Sequence, residues 1–201
     1  MKKRGKGVML DLTVGTLLVV FAYCMGSFAT GYHLIWWKMQ QDVRNHGSGG
    51  IGATNVGRLM GKPGFAITLL GDCLKAVLAL SIARMLNQSD TIISLMVIAV
   101  IAGHIWPFYL NFHGGKGIAT ALGAFLMVDI YVVVFIALVS GLLFLITRRF
   151  TLSWILSVIL LLLIIIIRDF QSPPITYAIV ISSILVVYAH RNNIQKDLTL
   201  L

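Results

Sequence analysis

Three short polar segments of this chain combine glycine with cations and hydrogen-bond donors. The first runs from Asp42 to Arg58 and contains GSGGIGATNVGR (47–58). Five glycines fall within eleven residues, among them Gly47, Gly49 and Gly52. Backbone without a Cβ can turn its N–H groups toward an anion, and the N-terminus of a following helix adds its dipole. Ser48, Thr54 and Asn55 add side-chain donors, and the guanidinium of Arg58 suits a phosphate bidentately. A plain linker would not need Thr, Asn and Arg at this spacing. The second segment reads Gly103-His104, then His113-Gly114-Gly115-Lys116-Gly117 and on to Thr120. Lys116 is a point charge among Gly114, Gly115 and Gly117, which allow close backbone approach to a phosphate. The spacing is not that of a Walker A loop. The third segment is His190-Arg191-Asn192-Asn193-Ile194, directly after the last apolar run. The chemistry common to all three is the handling of phosphate by donors and cations.

Other chemistries are excluded by what is missing. All seven acids are Asp, and the chain has no Glu. The residues five positions after the five histidines are Lys38, Ile51, Tyr109, Ile118 and Gln195, so no H-x-x-x-x-D acyltransferase motif occurs. H-E-x-x-H is impossible without Glu, and there is no G-x-S-x-G elbow. No D-x-[DN]-x-[DN] cluster is present to hold a divalent ion, so neither a metal nor a cofactor is expected. Cys24 and Cys73 lie in apolar runs far apart and are expected as small buried hydrophobes. Asp72 and Lys75, one helical turn apart in an apolar run, are expected to pair, with lining of the site as the other reading. His104 could make a helix-packing hydrogen bond or touch substrate.

The elements that position these segments are membrane helices. Of 201 residues, 58% are hydrophobic and 11% charged, and mean hydropathy is +0.92. That leaves too little polar side chain for a water-facing surface. The net charge of +9 sits between apolar runs, where it sets orientation and meets anions, rather than marking a nucleic-acid binder. Residues 1–12 form a basic extension of one membrane-embedded domain, 1–201. The run that follows exceeds a signal-peptide core and reads as a retained span, with Trp36 and Trp37 as an interfacial belt.

The expected spans are Thr13–Trp37, Gly64–Leu86, Thr91–Leu110, Ile118–Thr147, Thr151–Ile167 and Pro174–Ala189. The fourth, at thirty residues, would extend roughly 45 Å against a hydrocarbon core near ~30 Å. It also carries Asp129 at its middle, which is costly in lipid. A break there gives a short piece, Ile118–Val128, and a longer one, Ile130–Thr147. Only the broken version puts all three polar segments on one face. Nine basic residues from Lys38 to Lys196 then share that face, with Arg84 and Arg168 opposite, so the face is cytoplasmic by the positive-inside rule. The cluster Lys2, Lys3, Arg4 and Lys6 goes against the rule, but the sum keeps its direction. The expected fold is an all-α integral membrane protein with seven transmembrane helices, one of them short, N-terminus out and C-terminus in.

GSGGIGATNVGR (47–58), GH with HGGKGIATALG (103–123) and HRNNI (190–194) resemble, in order and spacing, the three cytoplasmic motifs of the bacterial acyl phosphate:glycerol-3-phosphate acyltransferases, the PlsY family. The resemblance covers nearly the whole chain beyond residue 13. It implies a small seven-helix enzyme of the bacterial inner membrane. Such enzymes move an acyl chain from acyl phosphate to the 1-hydroxyl of glycerol 3-phosphate, giving lysophosphatidic acid and phosphate. By matching positions, Ser48, Arg58, Lys116, His190 and Asn193 would be the catalytic and phosphate-holding side chains. Gly114, Gly115 and Gly117 would cradle a phosphate with N–H groups. Implied partners are glycerol 3-phosphate, long-chain acyl phosphate and membrane lipid, with no nucleic acid and a monomeric enzyme. Three positions depart from the usual motifs: Gly50 in place of Asn, His113 in place of Lys, and Asn192 in place of Glu. They leave room for a divergent or inactive homologue. A transporter of phosphorylated anions would use similar loops, but needs polar residues across the bilayer and often an internal repeat, which this chain lacks. The base for the alcohol is open between a substrate phosphate oxygen and His190.

Overall fold

The computed structural model describes residues 2–167 and 172–193, with side chains from 12 to 165 and from 172 to 193. Ile194 and Lys196, Arg168, and the side chains of the basic extension therefore lie outside the described residues. Those described form helices and connecting turns. The helices are α1 (Lys2–Ser27), α2 (Thr30–Met39), α3 (Ala53–Met85), α4 (Asp90–Ile105), α5 (Ile118–Val128), α6 (Ile130–Thr147), α7 (Phe150–Ile167) and α8 (Pro173–Ala189).

The expected break at Asp129 is present. Asp129 adopts φ −157°, ψ 103°, and its carboxylate accepts the Tyr131 N–H at 2.9 Å. An acid that would be costly inside a helix thus caps the start of one. The first run differs from expectation. Instead of one continuous helix over Thr13–Trp37, α1 and α2 meet at a 41° bend around Phe28 and Ala29. The break is stable because its freed backbone groups have partners. The Phe28 carbonyl accepts from Lys75 Nζ at 2.7 Å, and the Ala29 N–H donates to the Tyr109 hydroxyl at 3.0 Å. The second span is preceded by helix that was not expected. Helix begins at Ala53 and kinks at Gly61, φ 67° and ψ −160°, two residues before Pro63. The expected start at Gly64 marks only the piece after the kink.

Helix α4 is central and packs against α1, α3, α5 and α8. Its Ile93, Met96, Val97, Val100 and Ile101 are buried in the core. Small residues let backbones meet there, as in other membrane helix pairs. A Cβ on Gly26 would lie 2.0 Å from the Val100 carbonyl oxygen, and one on Gly103 2.2 Å from that of Tyr23. Large apolar side chains such as Leu17, Leu138 and Leu142 face outward. Cys24 is exposed and Cys73 half-buried, so neither is the buried core residue expected. Among the described residues three helices are long and apolar enough to cross a membrane alone, or four if the bent α1–α2 pair counts as one; α5, α7 and α8 are shorter apolar helices.

Candidate active site

The first loop is organised by Asn55, which is 2% exposed at the start of α3. Its Nδ2 donates to the carbonyls of Val43, His46 and Gly50 at 3.2, 2.9 and 2.8 Å, and its Oδ1 accepts the Ser48 N–H at 2.9 Å. The side chain read from the sequence as a phosphate donor is turned into the loop and shapes it. Gly47 must be glycine here. Its φ is +58°, and a Cβ would stand 2.2 Å from Asn55 Oδ1. Around this hub Ser48, Gly49, Thr54 and Arg58 are exposed, and Gly52 caps α3. Thr54 and Arg58 share an open groove of about 290 Å³ with Gly57, Gly61, Lys62 and Phe65.

Arg44 ties this loop to the second. It pairs with Asp42 at 2.6 Å and donates from Nη1 to the Leu110 carbonyl at 3.1 Å. The guanidinium beside Asp42 holds that carboxyl below the usual range. Nothing in the spacing of the sequence pointed to Arg44, because its acceptor is a backbone carbonyl sixty-six residues away.

In the second loop the glycines do a different job from the one the motif suggested. The Gly114 N–H donates to the Ile105 carbonyl at 3.1 Å and the Gly115 N–H to that of His104 at 3.0 Å, so these two donors face the end of α4 and not a ligand. The missing side chains matter instead for close approach. A Cβ on Gly114 would meet the His104 carbonyl oxygen at 2.2 Å, and one on Gly115 the His104 ring at 2.0 Å. Gly117, at φ +88°, then caps α5. Lys116, between them, is half-buried.

The second and third segments meet. Position 117 lies against Val186, 3.2 Å from where a Cβ would stand, and the Lys116 charge acts on His190. His190 is 3% exposed and stacks on Trp154 of α7, ring centroids 5.2 Å apart. Its Nδ1 is 2.7 Å from the Val186 carbonyl. A carbonyl only accepts, so Nδ1 carries the proton and Nε2 keeps its lone pair when the ring is neutral. Burial pushes the imidazole below the ordinary histidine value; the Val186 bond works against this, and the Lys116 charge adds to it. Asn193 is half-buried and donates its N–H to the His190 carbonyl at 2.8 Å. Trp154 was missed in the sequence, where one aromatic residue in an apolar run carries no signal. His113 and Asn192 are exposed.

Asp72 and Lys75 pair as expected, at 3.0 Å and nearly without exposure, and His104 joins them: its Nδ1 lies 2.8 Å from Lys75 Nζ. Thr30 adds a bond to Asp72 at 3.0 Å.

An all-helical bundle with apolar outward faces and basic, glycine-containing loops defines a class of integral membrane proteins. Over residues 16–199 the chain matches the family described as Glycerol-3-phosphate acyltransferase, and it belongs to that family, the PlsY family. It is 41% identical over 192 residues to Glycerol-3-phosphate acyltransferase 1 of Desulfitobacterium hafniense, covering 94% of this chain and 92% of that one. It is 36% identical over 181 residues to the Glycerol-3-phosphate acyltransferase of Geobacter sulfurreducens, covering 90% and 92%. The crystal structure of PlsY (YgiH), an integral membrane glycerol 3-phosphate acyltransferase, matches in its glycerol 3-phosphate form with a TM-score of 0.84 at 34% identity over 92% of both chains. Its lysophosphatidic acid form matches with a TM-score of 0.82 at 32% identity over the same share.

Proposed function

We propose that this protein transfers a long acyl chain from acyl phosphate to the 1-hydroxyl of sn-glycerol 3-phosphate, as a step of phospholipid synthesis. The relatives share the acceptor in their names, and the PlsY structures hold glycerol 3-phosphate and lysophosphatidic acid. The observation that supports the reading is the buried His190 ring, whose Nδ1 bonds the Val186 carbonyl and so leaves Nε2 with its lone pair, within reach of the Lys116 charge.

The alcohol oxygen attacks the acyl carbonyl carbon, a C–O bond forms, and the bond from that carbon to the phosphate oxygen breaks. Phosphate leaves with the electron pair. The donor is already activated, so no covalent nucleophile on the protein is needed. Positioning and charge stabilisation supply the rate. Lys116, Arg58 and Ser48 hold the substrate phosphates, with Thr54 at the edge of the Arg58 groove. The hydroxyl proton goes either to His190 Nε2 or to a substrate phosphate oxygen, and the acid limb of the rate profile distinguishes them. Asn193 and Asn55 shape the loops, Asn55 through the four bonds that fold the first one. No metal or cofactor takes part.

The chain crosses the bacterial inner membrane seven times, with α1 and α2 as one bent span and α5 as the short one. The N-terminus lies outside, and the C-terminus and the three loops lie on the cytoplasmic side. The basic residues of the loops support this orientation. The enzyme works as a monomer on soluble glycerol 3-phosphate and membrane-dissolved donor. Arg58→Ala and Lys116→Ala test the phosphate site: each is expected to remove most turnover while the protein still inserts, and undiminished turnover in either removes that residue from the site.

A further inference from the structure

Lys75 lies 4% exposed in α3, and its ammonium has three neighbours: the Phe28 carbonyl at 2.7 Å, Asp72 Oδ1 at 3.0 Å and His104 Nδ1 at 2.8 Å. An ammonium has three donors and no acceptor. His104 Nδ1 is therefore the acceptor, and the single proton of the neutral ring sits on Nε2. That nitrogen lies against the second glycine loop, 2.0 Å from where a Cβ on Gly115 would stand. Among the described residues the ring's hydrogen bond to Lys75 and its contact with Asp72 are both made by Nδ1, and Nε2 makes no hydrogen bond. His104 as a whole is 4% exposed, but Nε2 is not among the fully buried side-chain atoms that lack a partner, so it keeps access at the loop. A ligand oxygen at the loop would give this open donor an acceptor.

We infer that His104 Nε2–H donates to a substrate phosphate oxygen held at the Gly114–Gly117 loop, and that Lys75 and Asp72 are positioning residues that fix its tautomer. The inference rests on the phosphate reading of that loop. It gives the glycine at 115 a purpose: any side chain would stand between the N–H and the ligand. It also gives a purpose to the inward bonds of Gly114 and Gly115, which seat the loop on the end of α4 beside the ring. The two buried histidines then have opposite tautomers. His104 offers a proton to the site, and His190 offers a lone pair.

Two substitutions separate this role from packing. His104→Asn keeps an acceptor for Lys75 and loses the N–H toward Gly115. His104→Gln keeps a donor near Nε2 and loses the acceptor. Steady-state kinetics on the purified full chain, varying glycerol 3-phosphate and palmitoyl phosphate in turn, should show KM for one of them raised about ten- to a hundredfold in His104→Asn, a loss typical of a bond to a charged group. His104→Gln should stay within about threefold. The substrate whose KM moves identifies the phosphate. Unchanged KM values in His104→Asn, or equal losses in both variants, overturn the inference. Lys116→Ala run alongside keeps two failures apart. If it is impaired while His104→Asn is normal, only the role of His104 falls; if it is normal too, the phosphate reading of the loop falls. Should neither His104 variant fold, the wild-type chain with ¹⁵N-labelled histidine decides by titration with inorganic phosphate. Movement of the His104 Nε2–H resonance supports the donor role, and a resonance that stays fixed at saturation overturns it.

Discussion

The backbone N–H of Ser48 donates to the side-chain oxygen of Asn55 at 2.9 Å, across seven residues of glycine-rich loop. Three carbonyls of the same loop accept from the other end of that carboxamide. One buried side chain thus shapes the loop, and it holds the backbone of Ser48 while the Ser48 residue itself is exposed.

Asn55→Asp keeps the shape and removes the donor. A carboxylate then faces three carbonyl oxygens, each of which loses its partner at about 1–3 kcal/mol when buried. The variant is expected to insert normally, to be cut faster by protease between residues 44 and 52, and to lose at least tenfold in kcat/KM, since small misplacement of a binding group is costly. Proteolysis and turnover like wild type would show that the loop holds its form without Asn55.

Gly115→Ala places a methyl group where the His104 ring lies. Overpacking of this kind costs about 1–3 kcal/mol, and a displaced loop can lower turnover about a hundredfold. The expected phenotype is a folded protein with reduced kcat/KM, read by thermal unfolding in detergent together with the acyltransfer assay. Gly141→Ala, where no atom lies within 4 Å of the added carbon, serves as the control and should behave as wild type.

His190 titrates below its ordinary value of 6.5. Well above pH 6.5 it is neutral in both folded and unfolded chains and contributes nothing to the pH dependence of stability. As the pH falls below 6.5 the unfolded chain takes up the proton first, so stability falls until the folded value is passed. An NMR titration of the ligand-free protein should give a midpoint under 6.5, and Lys116→Met should raise it by removing a like charge. In the rate profile, an acid limb that disappears in His190→Gln assigns the base to His190. A limb unchanged in that variant assigns it to a substrate phosphate.

The fold was legible where an energetic cost was written into one residue. Asp129 in the middle of an apolar run announced a break, and the structure caps a helix with it. The bend at Phe28 and Ala29 was not legible, because no charge or proline stands there; the backbone is satisfied by Lys75 and Tyr109, far along the chain. The first turns of α3, from Ala53 to the kink at Gly61, read as loop and are helix. In the site, sequence pattern showed where glycine is required but not why. At 114 and 115 the reason is contact with His104, a relationship that only the packing of the loop on α4 reveals.

A cysteine in place of Arg191, one residue past the capping His190, tests orientation. Labelling by an impermeant thiol reagent in a Cys24→Ala, Cys73→Ser background should occur only from the cytoplasmic side. Labelling of intact cells from outside would reverse the bundle and separate the loops from the cytoplasmic pool of substrate.

The most direct test is chemical. Purified protein is incubated with palmitoyl phosphate and labelled glycerol 3-phosphate in the presence of a chelator, and lysophosphatidic acid is followed by thin-layer chromatography. The account predicts product from the wild type and a loss of most of it in Lys116→Ala. Well-folded wild-type protein that makes no product from palmitoyl phosphate, or makes it only from an acyl thioester, would contradict it.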